Sequence, residues 1–154
     1  VKLLQGLSAH LLGKSRLKRE NFHALADKGE LTLTGKHLGN GIELARFKYD
    51  GVIQIERYPG DAFEIMAQVM GWLSEHDTDR EHLELAEPEI NIDLNDRTTA
   101  DIELVVEFDE PIQLIPDPEG SISAYGQQWR VDTVPIDIAE ELDDMEGITD
   151  GGIG

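Results

Sequence analysis

An α+β fold is predicted for this chain: two layers, with a mixed, largely antiparallel sheet of two long hairpins and helices packed on one face. Three observations predict it. Residues 47–56 alternate, with Phe47, Tyr49, Gly51, Ile53 and Ile55 on one side and Lys48, Asp50, Gln54 and Glu56 on the other. That period of two is what a half-buried strand requires. An apolar helical segment follows at residues 61–76, and two further alternating runs, residues 90–94 and 102–108, repeat the strand pattern.

The helix at 61–76 is the centre of the arrangement. Tyr58-Pro59-Gly60-Asp61 ends the strand: Pro59 cannot donate to a ladder, Gly60 allows a reversal, and Asp61 is a good N-cap with Glu64 three residues on. Within the helix, Phe63, Ile65, Met66, Val69, Met70, Trp72 and Leu73 make an apolar surface too wide for a helix with one wet face. Those seven residues are the candidate core and oligomer-interface helix. A second cover, from the same chain or a neighbouring subunit, is expected. At about 1.5 Å per residue the helix spans about 24 Å, enough to cross a small sheet.

Ahead of it, residues 1–13 read as an amphipathic helix through Leu4, Leu7, Leu11 and Leu12. A basic connection, residues 14–19, leads to a second short helix expected at 20–28, with Phe22, Leu25 and Ala26 apolar and Gly29 as its stop. Leu31-Thr32-Leu33-Thr34 should pair with the long strand across a loop at 35–41. Lys36 and three nearby glycines do not make a phosphate loop, because His37 stands where Ser or Thr is needed and no helix begins there.

Beyond the central helix, residues 76–88 form an acidic connector. His76, Asp77, Asp79, Glu81 and His82 do not fit a calcium loop, since the positions for its glycine and final glutamate hold His82 and Pro88. The second hairpin sets Ile90, Ile92 and Leu94 against Ile102, Leu104, Val106 and Phe108. Carboxylates crowd its wet face, but an open strand face lacks the cleft that would shift two of them apart into an acid and a base. Pro111, Pro116 and Pro118 then bracket an extended piece, and residues 121–131, with Tyr125-Gly126 and Trp129, suit a last hairpin or an arm. Residues 139–154 hold six acids, no bases and four glycines, the composition of a disordered tail. One domain over residues 1–138 is expected: helical at 1–28, sheet and central helix at 30–109, an extended arm at 110–138.

Composition narrows the function. A chain of 154 residues is long enough to bury about 70% of its extended surface. There is no cysteine, which removes thiolate chemistry and suits a reducing cytoplasm. No apolar run reaches the ~18 residues of a membrane span, and no signal peptide precedes the first helix. The net charge is −19, unevenly spread: residues 1–49 carry 9 Lys or Arg against 4 acids, and the rest carries 4 against 28. The acidic part is a poor ligand for phosphates. One basic and one acidic region can instead dock head to tail with further copies, a heterologous contact that closes into a ring when the rotation allows. The plainer reading is a solvated acidic surface. No nucleophile–base pair or metal cluster supports a hydrolase, and no cofactor motif is present.

In this order, helix, hairpin, Pro-Gly-Asp turn, Trp-Leu helix, acidic connector and hairpin, the chain resembles the phage tail completion protein R family of contractile-tailed temperate phages. The likeness rests on Phe47-Lys48-Tyr49, Gly60-Asp61, Trp72-Leu73 and His76. It continues in Ile90-Asn91-Ile92-Asp93-Leu94-Asn95-Asp96 and Asp101-Ile102-Glu103-Leu104, and covers residues 17–108. Gly71, and the lack of a proline just after the helix, depart from the pattern. The resemblance implies a tail-terminator-like, non-catalytic virion protein at the head–tail junction, assembled in the bacterial host cytoplasm. It would cap the tail tube as a homo-oligomeric ring, commonly six-membered, and meet tube and head-connector proteins. It implies no membrane and no specific nucleic-acid binding, with DNA passing through the ring. The alternative at this level is an acidic DNA-mimic inhibitor.

Overall fold

The computed structural model describes residues 1–136; the tail expected at 139–154 lies outside them. The order is α1 (Lys2–Lys14), a 3-10 turn (Arg19–Asn21), β1 (Phe22–His37), β2 (Ile42–Tyr58) and α2 (Ala62–His76). Then come β3 (Glu89–Leu94), β4 (Ala100–Pro116), β5 (Ile122–Ala124) and β6 (Gln127–Val131). The class is α+β, with one six-stranded sheet in the order β1-β2-β4-β6-β5 and β3 also paired with β4. The described residues form two compact units: Val1–Thr32 with Arg46–Glu110, and Leu33–Ala45 with residues 111–136.

In the first unit the β2–β4 contacts run in opposite senses. The Arg57 amide donates to Asp101 at one end (2.9 Å), and Arg46 Nε donates to Asp109 at the other (2.8 Å). β2 and β4 are therefore antiparallel. β3 is antiparallel to β4, from Glu89 opposite Val105 to Leu94 opposite Ala100. The core takes Leu4, Leu7 and Leu11 from α1 and Ile65, Val69, Trp72 and Leu73 from α2. It adds alternate residues of β2 and β4, among them Tyr49, Ile53, Ile55, Ile102, Leu104, Val106 and Phe108. The period of two read from the sequence is thus the buried face of the two central strands.

The helix expected at 20–28 is not there. After one 3-10 turn the chain enters β1, a 16-residue strand. Phe22, Leu25 and Ala26 fit a helical stripe, but Phe22, Ala24 and Ala26 fit a strand face equally well, and pairing with β2 decides between them. Gly29 is not a helix stop: a Cβ there would collide with the ring of Phe47. β1 also runs further than expected, through Lys36 and His37, leaving a connection of residues 38–41 closed by the Leu38 amide donating to Gly41 O (2.9 Å).

α1 has no cap of its own, since Val1 offers no side-chain acceptor. The first backbone N–H groups of a helix lack partners within it. Here they are met from the sheet. Glu110 accepts from the amides of Lys2 (2.9 Å) and Leu3 (3.2 Å), and the Tyr49 hydroxyl accepts from Leu4 (3.4 Å) while donating to Glu110. A carboxylate at this helix end is also favoured by the helix dipole.

Burial, then the hydrogen bond to Glu110, pushes the Tyr49 phenol far above its ordinary value. Burial, with Glu64 nearby, also raises Tyr58. A folded-state pKa above the unfolded one means the contribution is intact below about pH 10 and is lost as pH rises past it. The urea midpoint is therefore expected to fall steeply above about pH 10, and Tyr49→Phe to flatten that fall. Equal alkaline slopes in the two proteins would contradict the assignment.

The second unit is built on the remaining ends of β1, β2 and β4. Thr34 Oγ1 donates to Glu43 Oε2 (2.7 Å) across the first hairpin. β6 pairs antiparallel with β4 over Leu114–Pro116, and β5 with β6. The expected last hairpin is present, and its turn residues Tyr125 and Gly126 both have positive φ (50° and 79°), as a two-residue type I′ turn requires. Trp129 is buried with Ile42 and Leu114, and its indole N–H donates to Ala124 O (2.8 Å).

Candidate functional site

The seven residues of the central helix divide between two roles. Asp61 caps α2 by accepting from the Phe63 amide (3.0 Å). Ile65, Val69, Trp72 and Leu73 are buried in the core, and Met66 is half-buried. Phe63 is 71% exposed and Met70 48%. These two lie seven residues apart, two turns along one side of the helix. Ala67 is also exposed, and a Cβ on Gly71 would meet nothing within 4 Å. The breadth of the apolar stripe is thus real, but within the described residues only half of it has a cover.

The other exposed apolar groups sit on sheet edges. β1 and β3 are the two outer strands of the first unit, and neither has a second partner among the described residues. Leu31, on β1, is 70% exposed, and Leu94, on β3, is 81% exposed. Natural proteins usually blunt such edges with proline, charge or a covering element, because unpaired N–H and C=O groups recruit another strand. Residues 22–37 contain no proline, and their charges, Asp27, Lys28, Glu30 and Lys36, leave residues 22–26 without a carboxylate, lysine or arginine. Behind β1, on the side of α1, runs a groove of about 750 Å³ lined by Leu4, Ala9, Leu12, Phe22 and Ala24.

Charge follows a different layout. The outer face of the sheet is lined by Asp50, Glu89, Glu103 and Glu107 around a concavity of about 570 Å³. Lys14, Arg16, Lys18 and Arg19 are all exposed, and none makes a salt bridge among the described residues. At the β3–β4 turn, Asp96 accepts from the amides of Thr98 and Thr99 (2.8 Å each), which lowers its carboxyl. Asp101 is lowered by accepting from the Arg57 amide and from Asn95.

The acidic connector is more ordered than its composition suggests. Arg80 donates to the buried Asp77 carboxylate (2.8 Å), to Glu107 O (3.0 Å) and to Ala86 O (2.9 Å), and its guanidinium lies 5.9 Å from the Phe108 ring centre. Glu107 accepts in turn from the Ala86 amide (2.8 Å). The sequence does hold a signal, a single arginine in the acidic run 75–89. Asp77 is therefore engaged by a cation of the chain itself, and among the described residues no three His, Asp or Glu are grouped to hold a metal ion. Arg80→Ala is expected to cost about 2–3 kcal/mol by leaving Asp77 buried and unpaired. Lysine should not rescue it, because a point charge cannot span three acceptors set around a planar fork. Urea titration of both variants checks this. Wild-type stability in Arg80→Lys would contradict it.

The described surface carries an exposed apolar helix face, two strand edges without a second partner, and separated charges. No described helix is long and apolar enough to cross a membrane. A family model described as P2 phage tail completion protein R (GpR) matches residues 1–133. The chain is also 32% identical, over 146 residues, to a protein of Haemophilus phage HP1 (strain HP1c1) described as an uncharacterized 19.2 kDa protein in the rep-hol intergenic region. That match covers 92% of this chain and 88% of the relative. No solved structure matches the chain. The family match reaches past residues 17–108 at both ends and takes in α1 and the β5–β6 hairpin.

Proposed function

The chain belongs to the P2 phage tail completion protein R family, and from that premise we propose that it is a non-catalytic structural protein that caps the tail tube and joins tail to head. The family match over residues 1–133 carries this reading. In it the protein works as a homo-oligomeric ring, six-membered by the family resemblance, at the head–tail junction of the virion. Its architecture is that of a tail terminator, with the sheet as one layer and α1 and α2 as the other. Its neighbours are further copies of itself, the tail tube and head-connector proteins. Phe63, Met66 and Met70 form the uncovered side of α2, where a neighbouring subunit or tail component supplies the second cover.

The acidity fits the same reading. Carboxylates facing a channel would repel DNA phosphates at short range and let the duplex pass without adhering. A DNA-mimic inhibitor, the other reading of the charge, is not favoured by membership of a tail family.

Infection with a phage lacking the gene tests the proposal. Filled heads and separate tails should accumulate, and purified protein added to that lysate should restore joined particles. Normal joined particles in the absence of the gene would refute it.

A further inference from the structure

We infer that two copies of this chain join edge to edge, with β3 of one copy pairing antiparallel to β1 of the next. Ile92 and Leu94 of the first copy then enter the groove between α1 and β1 of the second. The inference rests on the ring reading and names the surfaces that would make it.

Four observations support it. The two strands are matched in level. Asp93 lies opposite Asp101, Asp101 accepts from the Arg57 amide, and Arg57 Nη2 donates to Asn21 just ahead of β1. β3 therefore sits level with the start of β1 across the sheet.

They are matched in length. β3 has six residues, and β1 runs six residues from Phe22 to Asp27 before Lys28 takes a positive φ of 55° and breaks the regular strand.

Their polarity fits. With antiparallel neighbours across β1-β2-β4-β3, the two outer strands point in opposite directions. A rotation about an axis along the strands preserves those directions, so β3 of one copy meets β1 of the next antiparallel, and the contact is heterologous and able to close.

The side chains are complementary. Ile90 packs on the core, so Ile92 and Leu94, two and four residues on, face the helix side of the sheet. The groove on that side of β1 is apolar, lined by Leu12, Phe22, Ala24 and Ala26, with Arg19 at its border. Lys18 and Arg19 flank the start of β1, while β3 and its turn carry Glu89, Asp93 and Asp96 against one cation, Arg97.

The absence of native cysteine makes a direct test simple. Ala24→Cys and Ile92→Cys are made as separate full-length proteins, mixed and oxidised. A disulfide-linked heterodimer should form in far higher yield than from either variant alone, since cross-strand neighbours meet the geometry a disulfide needs. In parallel, Leu94→Asp should weaken self-association at least ~10-fold by sedimentation, and far-ultraviolet circular dichroism should be unchanged because Leu94 is exposed in the protomer. An oligomer that survives Leu94→Asp and gives no heterodimer would overturn this pairing and leave the ring reading standing. A protein that neither self-associates nor cross-links, alone or on isolated tail tubes, would overturn both.

Discussion

Replacing Glu110 by alanine is expected to destabilise the protein by about 3 kcal/mol, because buried hydrogen-bonding groups would lose their acceptor. Its carboxylate receives the amides of Lys2 and Leu3 and the hydroxyl of Tyr49. Without it, two part-buried N–H groups at the start of α1 and one buried phenol lose their acceptor. Glu110→Gln keeps an acceptor oxygen and loses the charge, so its cost should fall between the two. α1 should fray first, exposing Leu4, Leu7 and Leu11, which are otherwise sealed in the core. Urea unfolding, with hydrogen exchange over residues 2–12, reads both effects. A change within ~0.5 kcal/mol in Glu110→Ala, the range of an ordinary surface substitution, would show that the sheet does not hold this helix.

Phe108→Ala is expected to cost about 3–5 kcal/mol, the range for emptying a fully packed aromatic site. Phe108 is completely buried, and its ring centre lies 5.6 Å from that of Tyr49. It also fills the space beside Gly51, where an added Cβ would come within 3.1 Å of the ring, and it lies beneath the Arg80 guanidinium. The residue therefore couples β2, β4 and the connector that Arg80 organises. Loss of the ring should loosen residues 77–87 as well as lower global stability. Phe108→Leu, with much of the volume retained, should cost under about 1.5 kcal/mol. Equal losses in the two variants would mean that ring shape, rather than filled volume, is what the site requires.

What could be read from the sequence follows what is local. α2 announces itself through its apolar period and through Asp61, a cap two residues from the amide it receives. The β5–β6 hairpin is visible because Tyr125-Gly126 can occupy the left-handed conformation its turn needs. β2 and β4 are legible because one face of each is buried, so chemistry alternates along the chain. β1 is not legible for the converse reason. Residues 23–34 are exposed on both faces, nothing enforces a period of two, and the few apolar residues fit a helix as well. The cap on α1 is hidden too, because its acceptor is 108 positions away from the amide it receives. The candidate interface helix was half legible. Hydrophobic width marks α2 as more apolar than one cover requires, and only the fold shows that Phe63 and Met70 are the residues left exposed.

The proposed ring of repeated copies closing the tail rests on the two uncovered strand edges and the family membership. Electron microscopy of finished tails, reconstructed at the end that meets the head, tests it most directly. The account predicts a closed ring of this protein seated on the tube, each copy continuing its neighbour's sheet from β3 to β1. Tail ends that lack the protein, or that carry it as isolated protomers with those edges bare, would contradict it.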